Sequence, residues 1–151
     1  MKKNKNIRVP YGLSVHGKEE IDAVVNVLKT STQMSKNVFN FEKKIAKLFD
    51  KKYGLMVNSG SSALMLAIEA LELPEGSEVI TPALTFSTTV GYLVRNKLIP
   101  VFVDVEEGTY CINENKIKNL INKKTKAILA PHLMGNIVNW KKLYPMLKSK
   151  K

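Results

Sequence analysis

Short apolar runs alternate with longer amphipathic runs along most of the chain. A strand that is covered on both faces is apolar at successive positions, so the short runs predict buried strands. The strand candidates are Gly54–Val57, Glu78–Thr81, Ile99–Val103 and Ala127–Ala130. The longer runs have apolar residues three and four positions apart, which is typical of helices with one buried face.

The helices predicted by this spacing fall before, between and after the strand candidates. Ahead of the first strand, one helix is predicted over Lys18–Thr30 and a second is marked by Phe41, Ile45, Leu48 and Phe49, with the polar loop Ser31–Asn37 between them. The later helix candidates are Ser61–Leu71, Ser87–Asn96, Glu114–Ile121 and Asn139–Leu147.

Such an alternation indicates right-handed βαβ units and therefore an α/β fold, in which a mostly parallel sheet lies between two layers of helices. Residues 1–14, where Pro10 and Gly12 limit regular structure, are expected to form an amino-terminal arm, and residues 15–151 a domain. Ligands of such sheets bind beyond the carboxyl ends of the strands. The loops that follow the strand candidates are Asn58–Ser62, Pro82–Ser87, Asp104–Thr109 and Pro131–Asn136.

The first of these loops, Asn58-Ser59-Gly60-Ser61-Ser62, has the composition of a phosphate site. Its glycine permits a sharp turn, and its small hydroxyl residues open a helix whose first N–H groups have no intrahelical partner. Together with the helix dipole, these groups can bind a phosphate without lysine or arginine. Ser61 and Ser62 are best placed to add hydroxyl donors. An ordinary helix N-cap is the alternative, because serine is favoured there in any case.

Composition narrows the choice of partners. The 151 residues carry a net charge of +11, but nearly all the basic residues are lysine, scattered along the chain without interleaved aromatic residues. This pattern favours solvated lysine faces over a nucleic-acid surface. Cys111 is the single cysteine, which excludes an internal disulfide, and no close Cys/His pairing indicates a metal site. Without a secretory signal or a run long enough to span a bilayer, we expect no membrane partner and a cytoplasmic location.

Six segments, in order and spacing, carry a family resemblance: Asn58–Leu64, Gly76–Pro82, Leu84–Thr89, Pro100–Val105, Lys124–Ile128 and Pro131–Asn136. They resemble the amino-terminal part of the DegT/DnrJ/EryC1/StrS family. Its members are pyridoxal-phosphate enzymes of the aspartate-aminotransferase fold that act on nucleotide-linked keto sugars. The resemblance implies that residues 15–151 are an incomplete large domain of that PLP-transferase fold.

Roles for individual residues follow from the same resemblance. Gly60, Ser61 and Ser62 match the glycine–hydroxyl loop that holds the cofactor phosphate. Phe86 matches the aromatic position over the pyridine ring, although core packing at a strand end is the alternative. His132 is expected near the cofactor or the sugar, with a hydrogen-bonded structural histidine as the alternative.

The resemblance also implies that two functional groups of the family lie outside these 151 residues. The Schiff-base lysine of the family, and the carboxylate beside the pyridine nitrogen, lie downstream of the strand that ends near His132 and beyond Lys151. The rest of the large domain and the small carboxyl-terminal domain lie there as well. No catalytic residue is therefore assigned in this chain, and we expect the 151 residues alone to be inactive.

Three functions remain open at this stage. The first is part of an aminotransferase that moves an amine from an amino acid such as glutamate to a nucleotide-linked keto sugar, for surface polysaccharide or amino and deoxy sugars. The second is part of a 3-dehydrase of the same family, with histidine in place of lysine and pyridoxamine phosphate as cofactor. The third is a non-catalytic α/β module that binds phosphate compounds. A homodimer is expected of the complete enzyme.

Overall fold

The structure is a computed structural model that describes residues 8–10, 12–32 and 36–148. It divides into two compact units, Met1–Leu55 and Met56–Lys151. Most of the predicted arm lies outside the described residues, as do residues 33–35 of the predicted polar loop, and residues 8–10 and 12–17 have no helix or strand. The boundary between an arm and a domain at residue 14 stays a prediction.

The first unit contains two helices, α1 over Lys18–Thr30 and α2 over Lys36–Leu48. Helix α1 has the predicted bounds. At its start the Glu20 carboxylate accepts a hydrogen bond from the Gly17 N–H at 2.7 Å, which lowers the pKa of Glu20. No residue of α1 is buried and only Ala46 is buried in α2, so the apolar stripes that predict both helices are largely exposed.

The second unit is built on three parallel strands, β1 over Glu78–Pro82, β2 over Ile99–Val103 and β3 over Thr125–Ile128, in the order β2-β1-β3. The parallel sheet is as predicted. The predicted bounds are right for β2 and one residue short for β1, whereas β3 begins and ends two residues earlier than predicted. The strand predicted over Gly54–Val57 is wrong, because these residues form no strand.

Four α-helices and one short 3-10 helix, Leu133–Gly135, complete the described part of the second unit: α3 over Gly60–Glu69, α4 over Ser87–Arg95, α5 over Glu114–Ile117 and α6 over Trp140–Lys148. Helix α5 is half as long as predicted. After it, the side chain of Asn122 closes a turn, accepting the Lys124 N–H at 2.8 Å, while the Asn122 N–H donates to Thr125 Oγ1 at 3.0 Å. This turn leads directly into β3.

Two apolar clusters flank the sheet. Side chains alternate between the faces of a strand, so adjacent residues of β1 enter different clusters. One cluster is formed by Ile80, Val103, Cys111, Ile112, Ile117, Val138 and Leu143, and the other by Ile68, Val79, Leu93 and Leu98. Helices α3 and α4 contribute to the second cluster, and α5 and α6 to the first. The predicted order of helix, sheet and helix is confirmed.

Among the described residues, no helix has the length and apolar character that crossing a bilayer would require.

Candidate functional site

The loop before α3 has the arrangement of an anion-binding helix start. Ser59 is the N-cap, and its Oγ accepts a hydrogen bond from the Ser62 N–H at 3.1 Å. The N–H groups of Gly60 and Ser61 have no hydrogen-bond partner in the described part of the chain. These two donors therefore remain available to a ligand at the positive end of the helix dipole.

The serine hydroxyls of this loop are not equivalent. Ser62 Oγ donates to Asn58 Oδ1 at 2.7 Å. Ser59 Oγ lies 3.0 Å from Ser62 Oγ and 3.4 Å from Asn58 Oδ1, and since a hydroxyl has one proton we assign its bond to the nearer atom. Ser61 Oγ has no partner among the described residues. Of the predicted phosphate residues, Gly60 and Ser61 thus present unused donors, whereas the Ser62 hydroxyl proton is already bonded.

Phe86 lies at the start of α4 and is not part of the core. It is the N-cap residue of that helix and is 68% exposed, so it does not pack in the core that the structure describes. It lines an apolar cavity of about 280 Å³. The other lining residues are Leu84, Thr85, Tyr110, Leu133 and Met134. The structure therefore leaves the ring of Phe86 accessible to a ligand.

His132 follows β3 and is engaged by neighbouring groups. Its Nδ1 accepts a hydrogen bond from the Val138 N–H at 3.0 Å, and its Nε2 lies 3.5 Å from Trp140 Nε1. A neutral imidazole has one acceptor nitrogen. The shorter bond makes Nδ1 that acceptor and puts the proton on Nε2, so the indole contact is edge-to-face packing, with centroids 6.3 Å apart. His132 is therefore hydrogen-bonded within the chain, as the structural alternative expects, and its contact with a cofactor or sugar stays a prediction.

Asp104, at the carboxyl end of β2, forms an ion pair with Lys116, with 2.8 Å between Oδ2 and Nζ. This hydrogen bond lowers the pKa of Asp104 and raises the pKa of Lys116. Both side chains are exposed, so the pair contributes little to stability. The described residues contain no group of three His, Cys, Asp or Glu side chains that could hold a metal.

The structure brings two of the sequence-predicted segments together, because Phe86 and the residues directly after His132 line the same cavity. The sequence pattern does not predict that Tyr110 lines this cavity or that Asn58 is the hydrogen-bond partner of Ser62. Asn58 stands immediately before the N-cap, where asparagine often bonds to a nearby residue, and this was the available signal.

The comparison with protein families decides the identity of these motifs. The profile of the DegT/DnrJ/EryC1/StrS aminotransferase family matches residues 15–150. The chain belongs to this family.

Individual relatives of the chain include a dehydratase and an aminotransferase. A dTDP-4-dehydro-2,6-dideoxy-D-glucose 3-dehydratase of Saccharopolyspora spinosa is 37% identical over 135 residues, which are 84% of this chain and 29% of that protein. A 3-oxo-glucose-6-phosphate:glutamate aminotransferase of Bacillus subtilis (strain 168) is 34% identical over 142 residues, which are 88% of this chain and 32% of that protein. The chain spans about a third of the length of these relatives.

A solved structure confirms the fold. The E. coli GDP-4-keto-6-deoxy-D-mannose-3-dehydratase with bound hydrated PLP superimposes with a TM-score of 0.88 at 34% identity, over 95% of this chain and 39% of that one. The chain is accordingly a partial PLP-transferase domain.

Proposed function

We propose that this chain is the amino-terminal part of an enzyme that uses pyridoxal phosphate, or pyridoxamine phosphate, to transfer an amino group to a nucleotide-linked keto sugar. The observation that carries the proposal is the pair of unused N–H donors at Gly60 and Ser61, in a chain whose family match runs over residues 15–150. An amino acid such as glutamate is the proposed amino donor.

The donor set at the start of α3 fits a phosphate. The N–H groups of Gly60 and Ser61 and the Ser61 hydroxyl can all donate, and a phosphate dianion accepts. A Cβ added at Gly60 would meet nothing within 4 Å, so the space beside this residue is open. Backbone N–H donors at a helix start bind phosphate without a positively charged side chain.

The cavity beside Phe86 fits an aromatic ring. Five of its six lining side chains are apolar or aromatic, so they present a mainly apolar surface to a bound ring. Offset stacking on Phe86 would hold the ring plane and contribute about 0.5–1.5 kcal/mol beyond burial. Bound there, the cofactor supplies an electron sink for the reacting carbon of the substrate. The residues of this chain would bind and orient it. His132 would act on the ligand only indirectly, by holding the residues after it.

Removal of a sugar hydroxyl is the second candidate reaction. It is supported by the two 3-dehydratases, which are 37% and 34% identical to the chain. The aminotransferase of Bacillus subtilis is 34% identical, so identity does not choose between the reactions. The residue expected to distinguish the two reactions is the lysine or histidine described above. None of the matched motifs in these 151 residues contains it.

Binding of pyridoxamine 5'-phosphate to the purified 151-residue chain tests the proposal. This form has no aldehyde, so it does not react with the many surface lysines. We expect it to bind more tightly than pyridoxamine, which lacks the phosphate, and inorganic phosphate to compete. Equal binding of the two compounds would contradict the proposal, and salt-sensitive binding to nucleic acid instead would support the non-catalytic module.

We further propose that the 151 residues alone transfer no amino group, that the complete enzyme is a cytoplasmic homodimer, and that neither nucleic acid nor membrane is its partner. Incubation of the chain with the cofactor, glutamate and a keto-sugar nucleotide should give no amino sugar. Formation of amino sugar would show that another amine serves in place of the expected lysine.

A further inference from the structure

The side chain of Asn58 bridges the loop that precedes α3. Its Oδ1 accepts the Ser62 hydroxyl at 2.7 Å, so the residue before the N-cap is tied to the third residue of the helix. The Ser59 hydroxyl supports the same bridge through Ser62 Oγ at 3.0 Å. Gly60 and Ser61, with their unused N–H groups, lie between the two ends of this bridge.

Proton counting limits what Ser62 can do for a phosphate. A serine hydroxyl has one proton, and a phosphate dianion offers only acceptors. While Ser62 Oγ donates to Asn58, it cannot also donate to a phosphate. The backbone N–H of Ser62 is used as well, because it donates to Ser59 Oγ at 3.1 Å.

We propose that Asn58 is a positioning residue of the phosphate loop, which acts through Ser62 to hold the N–H groups of Gly60 and Ser61 in place. The inference rests on the proposed function and assigns different roles to the residues of its site. Gly60 and Ser61 contact the phosphate, whereas Asn58 and Ser62 fix the backbone that presents these donors. Such preorganisation lowers the cost of ordering the loop when the ligand binds.

The test compares dissociation constants of pyridoxamine 5'-phosphate and pyridoxamine for the 151-residue chain and its variants. Asn58→Ala and Ser62→Ala should each weaken binding of the phosphate form by about 3- to 10-fold, the effect of one net hydrogen bond. The double variant should be no weaker than Ser62→Ala, because Asn58→Ala removes a bond that the loss of the Ser62 hydroxyl has already removed. Pyridoxamine binding should not change, whereas a general loss of folding would reduce binding of both compounds.

Two further variants control for the chemistry of the side chains. Ser62→Thr keeps the hydroxyl and should bind pyridoxamine 5'-phosphate within about twofold of the parent chain, well inside the loss from one hydrogen bond. Asn58→Gln keeps the carboxamide but changes its reach, so it should weaken binding as Asn58→Ala does. Asn58 is exposed, so its replacement leaves both apolar clusters unchanged. Far-UV circular dichroism and a thermal melt of each variant verify this.

The outcomes separate this inference from the proposed function. Tighter binding by Asn58→Ala together with weaker binding by Ser62→Ala would overturn the inference, because Ser62 would then donate directly to the phosphate. A parent chain that prefers the phosphate form, with variants that bind as it does, would overturn the role of Asn58 and leave the proposed function standing. A parent chain that does not prefer the phosphate form would overturn both the inference and the proposed function.

Discussion

The Nδ1 atom of His132 accepts a hydrogen bond from the backbone N–H of Val138 at 3.0 Å. Val138 is 1% exposed and belongs to the apolar cluster between the sheet and α6. The imidazole therefore supplies the partner of an N–H group that lies next to the core, and it joins the residues after β3 to those before α6.

Replacing His132 by alanine should lower the free energy of unfolding by about 1–3 kcal/mol, because the Val138 N–H would lose its partner beside the core. Urea unfolding followed by circular dichroism measures this loss. His132→Asn is the matched control, since its Oδ1 can take the place of Nδ1, and it should retain most of the stability. Equal losses in the two variants would show that the hydrogen bond is not the cause.

At Thr81, a substitution is expected to raise the free energy of unfolding. It is fully buried in β1, and its Oγ1 has no hydrogen-bond partner in the described part of the chain. Thr81→Val keeps the shape and removes the unpaired hydroxyl, so it should raise the free energy of unfolding by about 1 kcal/mol. Thr81→Ser keeps the hydroxyl, loses a buried methyl group and should destabilise by a similar amount. A loss of stability in Thr81→Val would mean that Oγ1 has a partner.

Two glycines should respond differently to alanine. A Cβ at Gly54 would lie 2.7 Å from the backbone oxygen of Glu42, too close for either backbone to tolerate without moving. Gly54→Ala should therefore destabilise the first unit by about 1–3 kcal/mol. Gly91, in α4, has open space around its Cβ position, and Gly91→Ala should stabilise by about 0.5–1 kcal/mol through helix propensity. Thermal melts of both variants compare them, and a neutral Gly54→Ala would contradict the close approach.

The Asp104–Lys116 ion pair should make a small contribution to the free energy of unfolding, and this contribution should depend on pH. The folded-state pKa of Asp104 lies below its ordinary value of 3.8, so the pair stabilises above that pH and its contribution is lost as the pH falls through the lowered pKa. The pKa of Lys116 lies above 10.5, so the contribution is also lost as the pH rises through that raised value.

Asp104→Asn should therefore lower stability slightly at pH 7 and not at strongly acid pH, and added salt should reduce the difference, because both groups are exposed. Urea unfolding midpoints of Asp104→Asn and the parent chain, at the two pH values and at two salt concentrations, measure this difference in stability. An effect that is independent of pH would assign the loss to packing rather than charge.

The sequence predicted elements well where the local pattern and the pairing agree. Helix α1 and strand β2 have the predicted bounds. Strand β3 is shifted by two residues because its ends are set by pairing with β1, where Val79 is opposite Ala127 and Ile80 opposite Ile128. The apolar run Gly54–Val57 resembles a strand, but a strand also needs a neighbour to pair with, and an apolar run does not reveal one.

The candidate site likewise has features that the sequence predicts and features that it does not. Gly60 and Ser61 were identifiable because a helix start leaves its N–H groups unpaired whatever surrounds it. The bonds from Ser62 to Asn58 and from Val138 to His132 depend on side-chain rotamers and loop conformation, which spacing along the chain does not specify. The cavity beside Phe86 combines residues that follow three different strands, so it exists only once the sheet has formed.

The strand order β2-β1-β3 also affects how the protein emerges during synthesis. The central strand is made first, and one of its edges pairs through the short crossover that contains α4. Its other edge can pair only after β3 has been synthesised, so a nascent chain that ends before Thr125 would expose one open edge of β1. Since long-range pairing is slow, this interval is the stage at which a chaperone would be most useful to the nascent protein.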